Sequence, residues 1–233
     1  MEPVKKTSGR LDGLASLPVD LLRTAAFAVV TILAGVIMSV SARAVEGFDR
    51  MSLLELAGAD EQAAIRAADR HILLVRHARK VYEECNALDC PLGEAGIAMV
   101  ERLDALLGEP DFDAVYSSGA CRSVDTVIIA GDVVQHAAAA RAPGMCGGGE
   151  AERTREDAIA EAAASDARWT IVAEHSNTTC TWLAAIAGEA TLAGTPCESG
   201  RLASSDYGDI FWLYHTGESW DLAVLRGVFD VAE

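Results

Sequence analysis

Basic residues are scarce in this chain. Lys and Arg number 19 against 35 Asp and Glu, a net charge of −16 over 233 residues. Such a surface repels phosphate backbones, which argues against nucleic acid as a partner. Any attraction for an anionic substrate must therefore come from a few arginines gathered in one cleft. No C-x-x-C pair occurs among the six cysteines, so a thiolate zinc site is disfavoured and no metal is expected. The glycine-rich stretch 144–149 lacks the Lys-Ser/Thr of a phosphate-cradling P-loop and reads as a linker. There is no internal repeat or long low-complexity tract, and one domain accounts for the chain.

What is present is globular in composition: 51% hydrophobic and 23% charged residues, enough to bury a sizeable core. Residues 25–40 are apolar apart from Thr31 and Ser39, with Lys5, Lys6, Arg10 and Arg23 ahead of them and Ala42-Arg43-Ala44 after them. That is the order of an export signal with a small-residue cleavage site. It predicts residues 1–44 as a signal peptide or membrane anchor and residues 45–233 as a periplasmic or otherwise extracytoplasmic domain, touching membrane only through its N-terminal segment. All six cysteines follow the leader, and their even number suits an oxidising compartment. Cys85 with Cys90 and Cys180 with Cys197 are the local pairings expected. Cys121 beside Arg122 is expected to be the reactive thiol, because a neighbouring cation lowers a thiol pKa.

Along the domain, short apolar runs alternate with helical patterns. Residues 72–75 form a continuous apolar run, as in a strand covered on both faces. A helix follows Pro91 and Gly93, with Val100, Leu103 and Leu107 at helical spacing up to Gly108. Further strands are expected at 114–116, 134–141 and 170–173, with an Ala/Glu helix at about 150–164 and a helix after His175 capped by Asn177 or Thr178. Residues 210–215 and 220–228 read as a hairpin. The expectation is an α/β fold, a three-layer α/β/α sandwich with a mostly parallel central sheet, preceded by an N-terminal apolar helix.

The informative pattern lies at the strand ends. Arg76 and His77 follow the first apolar run, Arg122 opens the helix after the second, and His175 follows a later one. In open α/β sheets that edge is where ligands bind. His71, His136 and His215 have no such company and are read as structural.

These segments resemble the histidine phosphatase superfamily, its phosphoglycerate mutase-like branch 1. Leu74-Val75-Arg76-His77-Ala78 is similar to the family's Arg-His-Gly/Ala motif, and Pro91-Leu92-Gly93-Glu94-Ala95-Gly96 to its following turn. Residues 115–126, with Tyr116-Ser117-Ser118 and Arg122, resemble its second arginine segment, and residues 171–178 the segment with the second histidine.

The resemblance implies a metal-independent phosphomonoesterase without cofactor, acting on a small phosphorylated substrate. His77 would be the nucleophile that forms a phosphohistidine. Arg76 and Arg122 would grip the phosphoryl oxygens, and His175 would donate to the same oxygens. Glu150, Glu152 and Glu174 are the candidates for the proton donor. Arg79-Lys80 replaces the family's frequent Glu-Lys and is expected to add positive charge at the rim. Two other readings stand beside this one: a non-catalytic phosphate-binding module of the same fold, and a phosphoglycerate mutase-type phosphotransferase.

Overall fold

The apolar run that ends at Arg76 lies inside a sheet. It forms β1 (Arg70–Arg76), which pairs in parallel with β4 (Trp169–Glu174) on one side and antiparallel with β5 (Ile210–Thr216) on the other. Flanked on both sides and covered on both faces, such a strand has no need to alternate. Its residues Ile72 to Val75 are accordingly buried.

The computed structural model describes residues 52–108, 111–136, 153–217 and 219–231, all within one unit, Ala44–Glu233. The predicted leader and its apolar helix, the glycine-rich stretch 144–149, Glu150 and Glu152 lie outside the described residues. Among the described residues no helix is long and apolar enough to cross a membrane.

With β2 (Ala114–Ser118), β3 (Val133–His136) and β6 (Ser219–Leu225), the six-stranded sheet has the order β3-β2-β4-β1-β5-β6. The first four strands in that order run parallel. The predicted hairpin supplies the antiparallel edge, because two strands joined by a tight turn can pair no other way. Successive β1 side chains point to opposite faces: Leu73 and Val75 enter one core, Ile72 and Leu74 the other.

Helices cover both faces. Ile65 of α1 (Ala59–Ala67) and Met99, Leu103 and Leu107 of α2 (Glu94–Leu107) fill the first core, joined by Val127 at the end of α3 (Cys121–Val127). Ala158, Ile159 and Ala162 of α4 (Arg155–Ala164) and Trp182 and Leu183 of α5 (Thr179–Ala187) fill the second. Helix α2 ends as expected, on Gly108 in the left-handed conformation at φ 66°. Helix α4 starts at Arg155, where the Thr154 hydroxyl accepts the Asp157 N–H at 3.1 Å.

Cys85–Cys90 and Cys180–Cys197 are disulfides, as their short spacing suggests. The expectation for Cys121 is overturned: it is itself disulfide-bonded, so it offers no thiolate for Arg122 to stabilise. All three histidines read as structural have structural surroundings, His136 being buried with its Nε2 2.8 Å from Glu174. His71 is buried and stacked on Trp169 at 4.2 Å, and His215 Nδ1 lies 2.8 Å from Asp69.

Candidate active site

Strand register brings the two motif histidines together. Arg76 is opposite Glu174 across the parallel β1–β4 pair, so the next residue on each strand, His77 and His175, leaves the sheet at the same level. Their ring centroids are 5.1 Å apart. Strand β2 pairs with the other edge of β4, and four residues beyond its last residue, Ser118, helix α3 carries Arg122 to the same place. Arg122 Nη2 is 3.4 Å from His175 Nδ1. All four predicted side chains thus meet past the C-terminal ends of β1, β2 and β4.

Each arginine is braced by backbone. Arg76 Nη1 reaches the carbonyl oxygens of Ala203, Ser204 and Asp206 at 2.8 to 3.1 Å, and its guanidinium lies 3.7 Å from the centroid of the Tyr207 ring. Arg122 Nη1 donates to the Ala87 carbonyl at 2.9 Å. The Nε of each arginine is buried without a partner among the described residues. Buried donors are normally satisfied, and both residues that carry these orphaned N–H groups line the same cavity.

The rings are oriented by what surrounds them. His77 Nδ1 lies 2.8 Å from the Ala78 carbonyl oxygen; a carbonyl only accepts, so Nδ1 carries the proton and Nε2 keeps its lone pair. Burial first, then His175, then Arg122 and Arg76 push the His77 pKa well below its ordinary 6.5. The arginines therefore do help to keep the ring neutral, but burial does more. His175 Nε2 is 2.8 Å from the Ser118 hydroxyl, which donates onward to Ser123. Burial, with Arg122, Arg155 and Arg76 acting against the carboxylate of Glu174, brings His175 down to about 4.

The four side chains line a cavity of about 260 Å³, together with Lys80, Glu83, Asn86, Ser176, Asn177, Arg201 and Ser204. A larger groove of about 800 Å³ runs along residues between Cys180 and Gly200, but neither histidine nor arginine lines it. Four cations and one carboxylate around the smaller cavity make it the positive focus of an acidic chain.

The segment carrying these four side chains also matches a known family model, histidine phosphatase superfamily (branch 1). The match covers residues 72–181. No curated protein matches the chain. Among solved structures, a SixA protein of Nakamurella multipartitia named as a phosphohistidine phosphatase is 23% identical, over 70% of this chain and 97% of that one, with a TM-score of 0.47. The corresponding protein of Agrobacterium tumefaciens is 22% identical, over 67% and 97%, at 0.45. An Escherichia coli protein named as an alpha-ribazole-5'-P phosphatase is 18% identical, over 70% and 99%, at 0.46.

Three expectations for the site change. Glu174 is no proton donor: it is 0% exposed and accepts from Arg155 Nε at 2.7 Å, His136 Nε2 at 2.8 Å, Trp182 Nε1 at 2.9 Å and the Thr178 hydroxyl at 2.6 Å. Burial alone would raise its pKa, but these partners outweigh burial and hold the carboxyl far below the usual range. The Thr178 hydroxyl, expected as a helix cap, is spent on this carboxylate. Arg79 does not charge the rim either, since it makes a two-pronged ion pair with Asp230 at 3.0 Å and stacks on Tyr207. Lys80 does line the cavity.

Sequence reasoning missed Ser118 as the partner of His175, Tyr207 beneath Arg76, and Glu83. Ser118 was within the second motif and could have been found there. Tyr207 and Glu83 carry no local pattern.

Proposed function

We propose that this phosphatase-family chain is a metal-independent phosphomonoesterase acting on a small phosphorylated substrate through a phosphohistidine on His77. The observation that supports this best is the lining of the cavity: a neutral imidazole whose Nε2 keeps its lone pair, with the guanidinium groups of Arg76 and Arg122 beside it. Phosphoryl transfer is largely a matter of positioning and charge stabilisation, and these groups supply both.

In this reading Arg76 and Arg122 hold the equatorial phosphoryl oxygens while His77 Nε2 attacks phosphorus in line. His175 binds the same oxygens. Its Nε2–H faces Ser118 and its Nδ1 faces Arg122. A bound dianion favours the imidazolium, in which both ring nitrogens donate. The domain works in an extracytoplasmic compartment, a reading supported by the export-type leader and by disulfides, which persist where the surroundings oxidise.

The test is turnover of p-nitrophenyl phosphate by the purified chain in EDTA. The expected result is phosphate release that His77→Ala abolishes and that Arg122→Ala lowers by about 10² to 10³, with no isomerisation of 3-phosphoglycerate. No turnover by the wild type, or full turnover by His77→Ala, refutes the reading. A phosphatase fusion reporter joined after residue 43 tests the compartment.

A further inference from the structure

We infer that Glu83 is the proton donor and acceptor of the reaction, an assignment that rests on the phosphomonoesterase reading above. Expulsion of an alcohol from phosphorus requires a proton at the leaving oxygen, and the residues considered from sequence do not supply one from the described part of the chain. Glu174 is buried and committed to five hydrogen bonds, counting the N–H of His175. Among the described residues lining the cavity, Glu83 is the one carboxylate.

The loop that carries Glu83 is held in place at several points. Lys80 bridges to Leu92, the Cys85–Cys90 disulfide closes the far end, and Lys80 Nζ donates to the Glu83 carbonyl and to Asn86 Oδ1. The same loop offers the Ala87 carbonyl to Arg122 and the Leu88 carbonyl to the N–H of Cys121. The backbone that carries Glu83 and the Arg122 guanidinium are therefore set by one brace. The Glu83 side chain is near enough for its charge to act on Arg76, Lys80 and Tyr207, and it is exposed at the cavity mouth, where a leaving alcohol departs.

The step balances as follows. His77 Nε2 forms the N–P bond as the P–O bond to the alcohol breaks; the electron pair goes to the leaving oxygen, which takes the Glu83 proton. Water then attacks phosphorus and gives a proton to the Glu83 carboxylate. The N–P bond breaks toward the ring, and phosphate leaves.

The experiment compares Glu83→Gln with wild type on glycerol 2-phosphate and p-nitrophenyl phosphate, with Glu84→Gln as the neighbouring control and thermal unfolding to confirm the fold. An alkoxide needs the proton and a nitrophenolate does not. The expected kcat/KM for glycerol 2-phosphate falls by about 10² or more, while that for p-nitrophenyl phosphate falls by less than about tenfold, since the good leaving group needs little acid catalysis. Phosphohistidine should then accumulate after a nitrophenol burst, because water has lost its base. Equal losses on both substrates, or no loss on glycerol 2-phosphate, overturn the assignment of Glu83. Absence of p-nitrophenyl phosphate turnover in the wild type overturns the phosphatase reading instead.

Discussion

The backbone N–H of His77 donates to the carbonyl oxygen of Glu174 at 2.8 Å. Through this bond the parallel pairing of β1 and β4 continues one residue past Arg76 and fixes the His77 backbone to the residue that precedes His175. The carboxylate of Glu174 also accepts the N–H of His175 at 3.2 Å, so one residue positions both rings without touching the cavity.

Removing that carboxylate should be costly. Glu174→Ala leaves Arg155, His136 and Trp182 without their shared acceptor, and loss of one partner from a buried charged network typically costs about 3 to 5 kcal/mol. Urea unfolding of the variant should show a loss of that size. The Glu174 carboxyl is depressed in the fold from an ordinary 4.5. The unfolded chain therefore binds a proton there first as pH falls. The stability this provides is present above about pH 4.5 and is lost on acidification below it, more steeply in wild type than in Glu174→Ala.

His77 and His175 should remain neutral through the physiological range. Both are shifted downward from 6.5, His175 to about 4, burial being the largest cause in each. Their ring C–H resonances in the empty enzyme should not titrate between pH 5.5 and 8, and a midpoint near 6.5 for either would contradict the buried geometry. The sign for stability matches that of Glu174: the unfolded histidines take up protons first, so the contribution is whole above pH 6.5 and diminishes as pH falls toward the folded-state values.

The two described disulfides should differ in what their loss does. Cys180–Cys197 closes a segment of separation 17 and lines the groove away from the histidines, so the double serine variant should lose about 3 kcal/mol with kcat/KM little changed. Cys85–Cys90, of separation 5, should contribute only about 2 kcal/mol, but it holds the loop that braces Arg122. Its double serine variant should lower kcat/KM by about tenfold, the scale expected when a binding group is misplaced rather than removed. Chemical unfolding and steady-state kinetics separate the two effects.

Gly96 in the turn motif should not tolerate a side chain. A Cβ there would overlap the Arg79 carbonyl oxygen, and one at Gly93 would come within 2.9 Å of the Lys80 carbonyl oxygen. The first turn of α2 thus lies directly on the backbone that leads out of the active site. Gly96→Ala should destabilise by about 1 to 3 kcal/mol, as overpacking does, and should raise KM by moving Lys80, both measurable on the same preparation.

The four side chains at the cavity were legible because each directly follows a local pattern, an apolar run that stops at a polar residue. The two short-range disulfides were legible for a similar reason. Arg79 was misjudged because its partner Asp230 lies 151 residues away. Glu174 was misjudged because the strand ending beside His175 turns its carboxylate into the core, toward Trp182 and His136. Glu83 was invisible among exposed polar neighbours until its loop was seen to close over the cavity.

By itself, then, the amino-acid sequence determined the α/β class, the acidic surface and the identity of the two arginines and two histidines, since periodicity and strand ends are written in neighbouring residues. Tertiary structure alone decided which carboxylate lines the cavity beside the two histidines and which backbone carbonyls hold the arginines. Those depend on strand register and on hydrogen bonds between residues tens to more than a hundred positions apart, and no local pattern encodes them.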